Sequence, residues 1–453
     1  MKILEKIKVD KYPFLQFAPF LVLYILYIVI NASPESFGDE PRYLSYANHL
    51  IHGYYSPRYP HIDLGNGPGY PLILTPFVAL NLPIIYAKLL NAVFYYLSVV
   101  FLYKASLQIV SKRLAFIFSL VWAIYPNTFE QIYHALPEVF ASTLIPPFIF
   151  CIIKGFKADN FKKGQNYLIS AGFLFGYLVL TKPIFGYVLN LMLIVTLILW
   201  FASKKELNYK KTSIILIISF LTTVPYLVYT YNLTGKMFYW SSFGGNNLYW
   251  MSTPYEGEYG NYYHFPFASS EDRIPGSEKI IELHHKKDFE ELLKNPEVRK
   301  ANIINGEIQQ DLSNGTAQDD LLKKIAIENI KSHPLKFLQN CFSNAGRMLF
   351  NYPASYVLQK PSTLLRLPFN GILLVFVLFS LIPTFMNWKD VVYSLRFLLI
   401  FACVYFGGSL LGSAEPRMFT VIVPILLIWI AYIFERTVKI NLKLKDVENG
   451  AVS

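Results

Sequence analysis

The chain is dominated by apolar runs of about 20 residues, long enough to span a bilayer as helices, separated by short loops that carry lysine. Inside lipid every backbone polar group must find its partner internally, so runs of this kind can only be helices. Of the 453 residues, 54% are hydrophobic and 16% are charged. Soluble domains carry about a quarter charged residues, so the sequence predicts an α-helical polytopic membrane protein. The formal net charge of +11 would suit a nucleic-acid partner if the cations formed one patch. They fall instead in the loops between spans, where they set orientation by the positive-inside rule, and nucleic acid is excluded as a partner. The three cysteines, Cys151, Cys341 and Cys403, show no metal or redox spacing. The first apolar run lacks a small-residue cleavage site and reads as a retained anchor.

With the lysine-rich loops placed inside, about ten transmembrane helices are expected. They cover roughly 13–31, 84–108, 114–126, 138–154, 166–182, 183–203, 212–233, 367–386, 396–413 and 416–436. Residues 70–83 are apolar but short and proline-rich, which suits an interfacial or re-entrant segment. The chain then divides into an amino-terminal membrane region (1–233) with a first outer loop (32–83), an outer hydrophilic segment (234–366), closing spans (367–436) and a basic tail (437–453). Lys2, Lys6, Lys8 and Lys11, then Lys204-Lys205, then Lys439, Lys443 and Lys445 mark the inner side. Asp39, Glu40, Glu138, Lys182, Glu415 and Arg417 consequently all emerge on the outer face. In the outer segment, 238–267, closing on His264-Phe265, reads as an irregular aromatic loop, and 277–351 as helices. Ser332 to Phe350 has the pattern of an amphipathic helix lying on the interface. Glu256, Glu258 and His284-His285 are expected to face solvent.

The stretch Phe37-Gly38-Asp39-Glu40-Pro41-Arg42-Tyr43 opens a short amphipathic helix in which Tyr43, Leu44, Ala47, Leu50 and Ile51 share a face. Asp39 as N-cap and Glu40 as dipole complement would explain the two acids structurally. Neither role accounts for Arg42 or for the Asn66-Gly67-Pro68-Gly69-Tyr70-Pro71 turn that follows. Lys182 at a hairpin tip, Glu138 at a helix start and Glu415-Pro416-Arg417 at a span end have structural readings too: snorkelling, dipole complement and local ion pair. Ionisable groups near a membrane also mark functional sites. His49, His52 and His61 share the first outer loop with Asp63 without the spacing of a known metal site. The chain has no phosphate-cradling glycine loop, nucleophile elbow or HExxH, so nothing supports a nucleotide-fuelled reaction.

Gly38-Asp39-Glu40-Pro41-Arg42-Tyr43, with Ala47 and Gly67-Pro68-Gly69-Tyr70-Pro71-Leu72, resembles the first outer loop of the dolichyl-phosphate-mannose–protein mannosyltransferase superfamily, which includes lipid A aminoarabinose transferases. The resemblance continues through Pro137-Glu138-Val139-Phe140, Leu180-Thr181-Lys182-Pro183, Gly245-Asn246-Asn247-Leu248-Tyr249, Lys331-Ser332-His333-Pro334 and Glu415-Pro416-Arg417-Met418. It implies a GT-C fold and an inverting transfer of sugar from a polyprenyl-phosphate donor to a hydroxyl on a glycan, lipid or protein acceptor. The transfer would take place at the outer, periplasmic face of the inner (plasma) membrane. By position it makes Asp39 the catalytic acid residue with Glu40 beside it, and Arg42, Lys182 and Arg417 the donor-phosphate contacts. Glu138, Tyr43, Tyr70, Asn246 and Tyr249 fall among the substrate contacts. No metal ligand and no cofactor is assigned, and a divalent metal between carboxylates and phosphate is compatible with the resemblance. Asn66 stands where aminoarabinose transferases usually carry lysine, which argues against that branch. A transporter or flippase, or a polysaccharide polymerase or ligase, is the competing reading. The first expects charges near mid-bilayer in paired repeats, and the second an arginine- or histidine-centred outer loop.

Overall fold

The computed structural model describes residues 12–36, 38–59, 61–202, 206–263, 273–295, 298, 303–304, 307–308, 315–359, 364 and 366–437. Phe37, the amino-terminal lysines, Lys204-Lys205, His264-Phe265 and the tail lysines lie outside the described residues. The first span is divided at Phe17 into α1 (Pro13–Gln16) and α2 (Ala18–Asn31), and the first outer loop holds α3 (Glu40–Ile51) and α4 (Gly69–Ala79). The bundle continues through α5 (Ile84–Ser106), α6 (Lys112–Ala123), α7 (Pro126–Ile132), α8 (Pro137–Lys157), α9 (Phe161–Thr181), α10 (Ile184–Ala202) and α11 (Leu207–Thr234). The outer segment supplies α12 (Gly244–Met251) and α13 (Ser277–Lys294), then β1 (Ile303–Ile304) paired antiparallel with β2 (Glu307–Ile308). It ends with α14 (Thr316–Ser332) and α15 (Pro334–Phe350). The chain closes with α16 (Arg366–Met386), α17 (Tyr393–Leu410), α18 (Pro416–Thr420) and α19 (Val423–Thr437).

Six of the described helices, α5, α8, α10, α11, α16 and α17, are long and apolar enough to cross a membrane. The chain is therefore a multi-pass membrane protein. Of the other expected crossings, α6 has 12 residues, the last span divides into α18 and α19, and α9 has 21 residues but is not apolar enough to count among the six. Of residues 70–83, those up to Ala79 lie in the short apolar helix α4, which has 11 residues with Pro76 inside. Leu26 and Ile30 on α2, Ile198 on α10 and Phe379 on α16 are among the large apolar side chains turned outward, as a lipid-facing surface requires.

Helices in lipid gain no hydrophobic drive from packing together, so close backbone approach has to supply the attraction. Gly172 and Gly176, four residues apart on α9, provide it against α11. A Cβ added at either glycine would come within 2.6 Å of Ile218 or Thr222. Ser219 Oγ exploits the approach by donating to the Gly172 carbonyl at 3.0 Å. A tighter contact fixes the first outer loop. A Cβ on Gly67 would lie 2.0 Å from the Leu180 carbonyl oxygen, and one on Gly69 would lie 2.6 Å from Thr181 Oγ1. The Gly67-Pro68-Gly69 turn is thus seated on the end of α9, directly before Lys182.

The outer segment has a small core of its own, built from residues that include Tyr249, Trp250, Ile281, Phe289, Leu322 and Ala326. Two expectations fail here. Glu258, His284 and His285 do not line a solvated face: Glu258 and His285 are buried. Glu258 accepts from His284 Nδ1 at 2.8 Å, from His285 Nε2 at 3.0 Å and from the Thr253 hydroxyl. The Tyr249 hydroxyl lies 2.6 Å from His285 Nδ1 and donates to Asp288 at 2.8 Å. A buried carboxylate is tolerated only when its oxygens are so satisfied. A run of charges along a helix looks solvated to a sequence reading, which has no sight of the Tyr-rich loop folding over it.

The interfacial helix α15 carries its polarity the reverse of a soluble helix. Asn340, Asn344 and Arg347 are buried, while Leu335, Leu338 and Phe342 on the other face are exposed. The apolar face suits a bilayer interface. The polar face is spent on backbone carbonyls, from Met251 and Thr253 (Asn340) to Gly412 (Asn344) and Ala414 (Arg347).

Gly67→Ala should lower stability by about 1–3 kcal/mol through overpacking, read as earlier thermal unfolding in detergent. Gly371→Ala on α16, where no atom lies within 4 Å of the added Cβ, should leave unfolding unchanged. Burial acts to raise the Glu258 carboxyl, but the hydrogen bond and charge of His285, with Thr253 and His284, hold it below its ordinary value of 4.5. A carboxyl depressed in the folded state stabilises above that value, and the contribution fades as pH falls through the folded one. Protease resistance of the outer segment should therefore decline below about pH 4.5. Glu258→Gln should be less resistant at neutral pH and show a flatter acid limb.

Candidate active site

Asp39 holds the N-cap position of α3, but its side chain makes no capping bond. It faces two guanidinium groups instead. Arg42 Nη2 donates to Oδ1 at 2.9 Å, and Arg417 Nη2 donates to Oδ2 at 3.3 Å. Arg417 Nε lies 3.4 Å from Glu138 Oε1, which also receives Lys182 Nζ at 3.3 Å. One alternating chain, Arg42–Asp39–Arg417–Glu138–Lys182, thus joins α3, α18, the start of α8 and the α9–α10 junction. Lys182 does not snorkel, and Arg417 reaches past Glu415 to partners far along the chain, while Glu138 does stand in the first turn of α8.

The cluster is graded in depth. The Asp39, Arg42 and Arg417 side chains are 28%, 28% and 26% exposed, against 9% for Lys182 and 8% for Glu138. An entering group therefore meets Asp39 and the two arginines first. Three cations face two carboxylates, which leaves one positive charge for an anion to neutralise. Several buried atoms at the cluster have no partner, among them Glu138 Oε2, Tyr70 Oη, Arg42 Nε and Asn66 Nδ2. Buried polar atoms are nearly always satisfied, so these are free to meet a ligand's groups.

Aromatic residues wall the cluster. Tyr43 donates to Asn66 Oδ1 at 2.9 Å and meets Tyr70 edge-on at 5.7 Å between centroids. Arg42 lies over the Phe243 ring at 5.1 Å, a cation–π contact that orients the guanidinium. Behind Arg42, Asp63 accepts from the Tyr46 hydroxyl at 2.6 Å and from the Gly65 N–H at 3.0 Å. Burial raises the Asp63 carboxyl, and those bonds with the Arg42 charge only partly oppose it. Ser241 Oγ and Ser242 bond the backbone of Gly65 and Leu64. The loop bearing Asn66 is therefore held between the outer segment and α9.

Two residues grouped with this site by sequence belong elsewhere. Glu40 is fully buried and turns away from Asp39. It pairs with Lys88 at 3.1 Å and accepts the Ala135 N–H at 2.8 Å, tying α3 to α5 and to the connection before α8. Tyr249 sits in the His285–Asp288 network of the outer core. Asn246 is nearer, its Nδ2 3.4 Å from the hydroxyl of Tyr262, which feels the charges of Arg42 and Asp39. A Cβ on its neighbour Gly245 would lie 1.9 Å from the Asp319 carbonyl oxygen, so α12 is clamped to α14.

The sequence reading missed the support of Arg417. Asn344 Nδ2 donates to the carbonyls of Ser409, Leu410 and Gly412, at 3.1, 3.2 and 2.7 Å. Arg347 Nε donates to Ala414 at 3.0 Å and its Nη atoms to Tyr259 and Gly260. Together they shape the turn that presents Arg417. The signal was available: an arginine and two asparagines at i, i+4 and i+7 opposite an apolar stripe cannot all face lipid. Among the described residues, no group of three His, Cys, Asp or Glu side chains is arranged to hold a metal ion. Both carboxylates of the cluster are already paired with cations.

No family model matches the chain, and no curated protein does. Among solved structures it is similar to the oligosaccharyltransferase of Archaeoglobus fulgidus tethered to an acceptor peptide, with a TM-score of 0.51 at 13% identity. That alignment covers 94% of this chain and 50% of the other, so this chain spans about half the length of the archaeal protein. A second structure of an Archaeoglobus fulgidus oligosaccharyltransferase, with an inhibitory peptide and a dolichol-phosphate, gives 0.48 at 14% identity over 94% and 50% of the two chains. ArnT of Cupriavidus metallidurans bound to undecaprenyl phosphate gives 0.39 at 11% identity over 92% and 77%. The first of these likenesses establishes the architecture: the chain has the GT-C fold, the helical membrane scaffold of the Archaeoglobus enzyme.

Proposed function

We propose that this protein is a membrane glycosyltransferase that moves a sugar from a polyprenyl-phosphate donor to a hydroxyl acceptor at the outer face of the membrane. Fold alone assigns no chemistry. The reading rests on one observation, the accessible Asp39 carboxylate held between Arg42 and Arg417 in a cluster with one excess positive charge. A transporter would place its charges near mid-bilayer in paired repeats, whereas these groups meet where helices end.

In this reading the donor phosphate settles against Arg42, Arg417 and Lys182, as charge-assisted contacts favour. It competes with Asp39 for the guanidinium groups and frees a carboxylate oxygen. The acceptor hydroxyl oxygen attacks the anomeric carbon from the side opposite the phosphate. The C–O bond to phosphate breaks, its electron pair leaves with the polyprenyl phosphate, and the hydroxyl proton passes to Asp39. One displacement inverts the anomeric carbon. The cations stabilise the negative charge where it grows on the leaving phosphate, the largest kind of contribution an enzyme makes. Glu138 keeps Arg417 and Lys182 at their spacing, and the phosphate group of the donor already leaves well, so no nucleotide is needed.

Asp39→Asn should lower transfer from radiolabelled undecaprenyl-phosphate sugars into envelope lipid, glycan or protein by about 10²-fold or more. Its partly exposed ion pairs contribute only ~0–1 kcal/mol to stability, so thermal unfolding in detergent should hardly move. Turnover near that of the unmodified protein would remove Asp39 as the base. Orientation is tested with Cys151, Cys341 and Cys403 replaced by alanine. A cysteine at exposed Lys286 should react with an impermeant thiol reagent in intact cells, and one at exposed Asp159 should not. The reverse pattern would put the site on the inner face.

A further inference from the structure

Beside the charged cluster lies a small cavity of about 160 Å³ bordered by eight residues, of which seven are polar or charged. It adjoins Arg417, whose Nη2 is 3.3 Å from Asp39. Asn127, Glu130 and Gln131, at i, i+3 and i+4, form the α7 face of the wall. Arg366 at the start of α16 and Glu415 before α18 supply the rest. Arg366 is paired with Glu130, its Nε 3.4 Å from Oε1 and an Nη2 contact beside it, so the wall is fixed.

The composition differs from that of the adjoining cluster. Arg417, shared with the adjoining cluster, already answers Asp39 and Glu138, so the cavity's own charges are Glu130 and Glu415 against Arg366, and they offer an anion no net attraction. It offers carboxylate acceptors, amide groups of both kinds and guanidinium donors at close quarters. That mixture suits groups that donate and accept at once, as sugar hydroxyls do. Asn127 is 3% exposed and its Nδ2 has no partner, a donor held ready in the wall. The volume would hold roughly five waters at ~30 Å³ each, on the order of one sugar ring.

We propose that this cavity is a subsite for a neutral sugar ring, with Asn127 and Gln131 as binding residues and Glu415 accepting from a ring hydroxyl. The place of that ring in transfer rests on the glycosyltransferase reading; its binding does not. The ring belongs either to the donor or to the acceptor, since both would have to reach Asp39 and Arg417.

The test uses the full chain in lipid nanodiscs, free of glycosidic detergent, and reads methyl glucoside, methyl mannoside, methyl galactoside and N-acetylglucosamine by saturation-transfer NMR. At least one should bind saturably. Asn127→Leu should weaken it by about tenfold or more, the loss of one or two hydrogen bonds. Gln131→Ala, at a half-buried position, should weaken it as well and guards against misfolding of the first variant. Asp39→Asn should leave binding in place, so a failed transfer assay and a failed sugar assay are separate results. Displacement of the glycoside by undecaprenyl-phosphate glucose, but not by undecaprenyl phosphate, assigns the ring to the donor. Displacement by neither assigns it to the acceptor. Displacement by undecaprenyl phosphate itself would make the cavity and the phosphate contacts one site and overturn the proposal of a separate sugar subsite. So would saturable binding of none of the four sugars, or binding unchanged in both wall variants.

Discussion

Arg417 bridges two carboxylates of the amino-terminal membrane region from the opposite end of the chain. Asp39 stands after the first span and Glu138 at the head of α8, and the guanidinium between them comes from the final turn before α19. A partly buried cation is stable only if its partners are held in place, and each partner here has its own fixture. Glu138 is fixed by Lys182, Lys182 by the glycine turn packed on α9, and Arg417 by the asparagine and arginine of α15. The site is therefore less a pocket lined by one element than a junction of four.

That junction explains why an outer segment with its own core is attached to a membrane bundle. Its aromatic start supplies Phe243 against Arg42. Its α15 grips the turn before Arg417 while presenting leucine and phenylalanine to the interface. The Glu258–histidine network holds this segment together at a distance from the charged cluster, with Lys336 on α15 donating to the Glu258 carbonyl at 2.8 Å.

Much of the architecture is legible in the sequence because the bilayer imposes lengths. Apolar runs locate the long helices, and proline at 76 together with the short run foretells that α4 is short. Asp39, Glu138, Lys182 and Arg417 meet in the structure, as the expected span parity requires, although parity does not foretell the contacts among them. Pairings over hundreds of residues have no local signature. For the same reason the burial of Glu258 and His285 is invisible: their sequence is that of a solvated helix, and the residues that cover them come from another part of the segment. Glu40 is the most instructive case. An adjacent acid looks like half of a catalytic pair, yet α3 turns it toward Lys88, and helical geometry sends consecutive side chains in different directions.

The burial of Glu40 has a consequence for reading mutational data. Its partner Lys88 is 1% exposed, and removing one member of such a pair leaves an uncompensated charge in the interior, typically at about 3–5 kcal/mol. Because Glu40 anchors the helix whose first residue follows Asp39, that loss would spread to the geometry of the neighbouring carboxylate. A loss of activity at Glu40 would then report the fold and not the reaction, and a single peptide bond separates that position from a carboxylate whose own ion pairs are partly exposed.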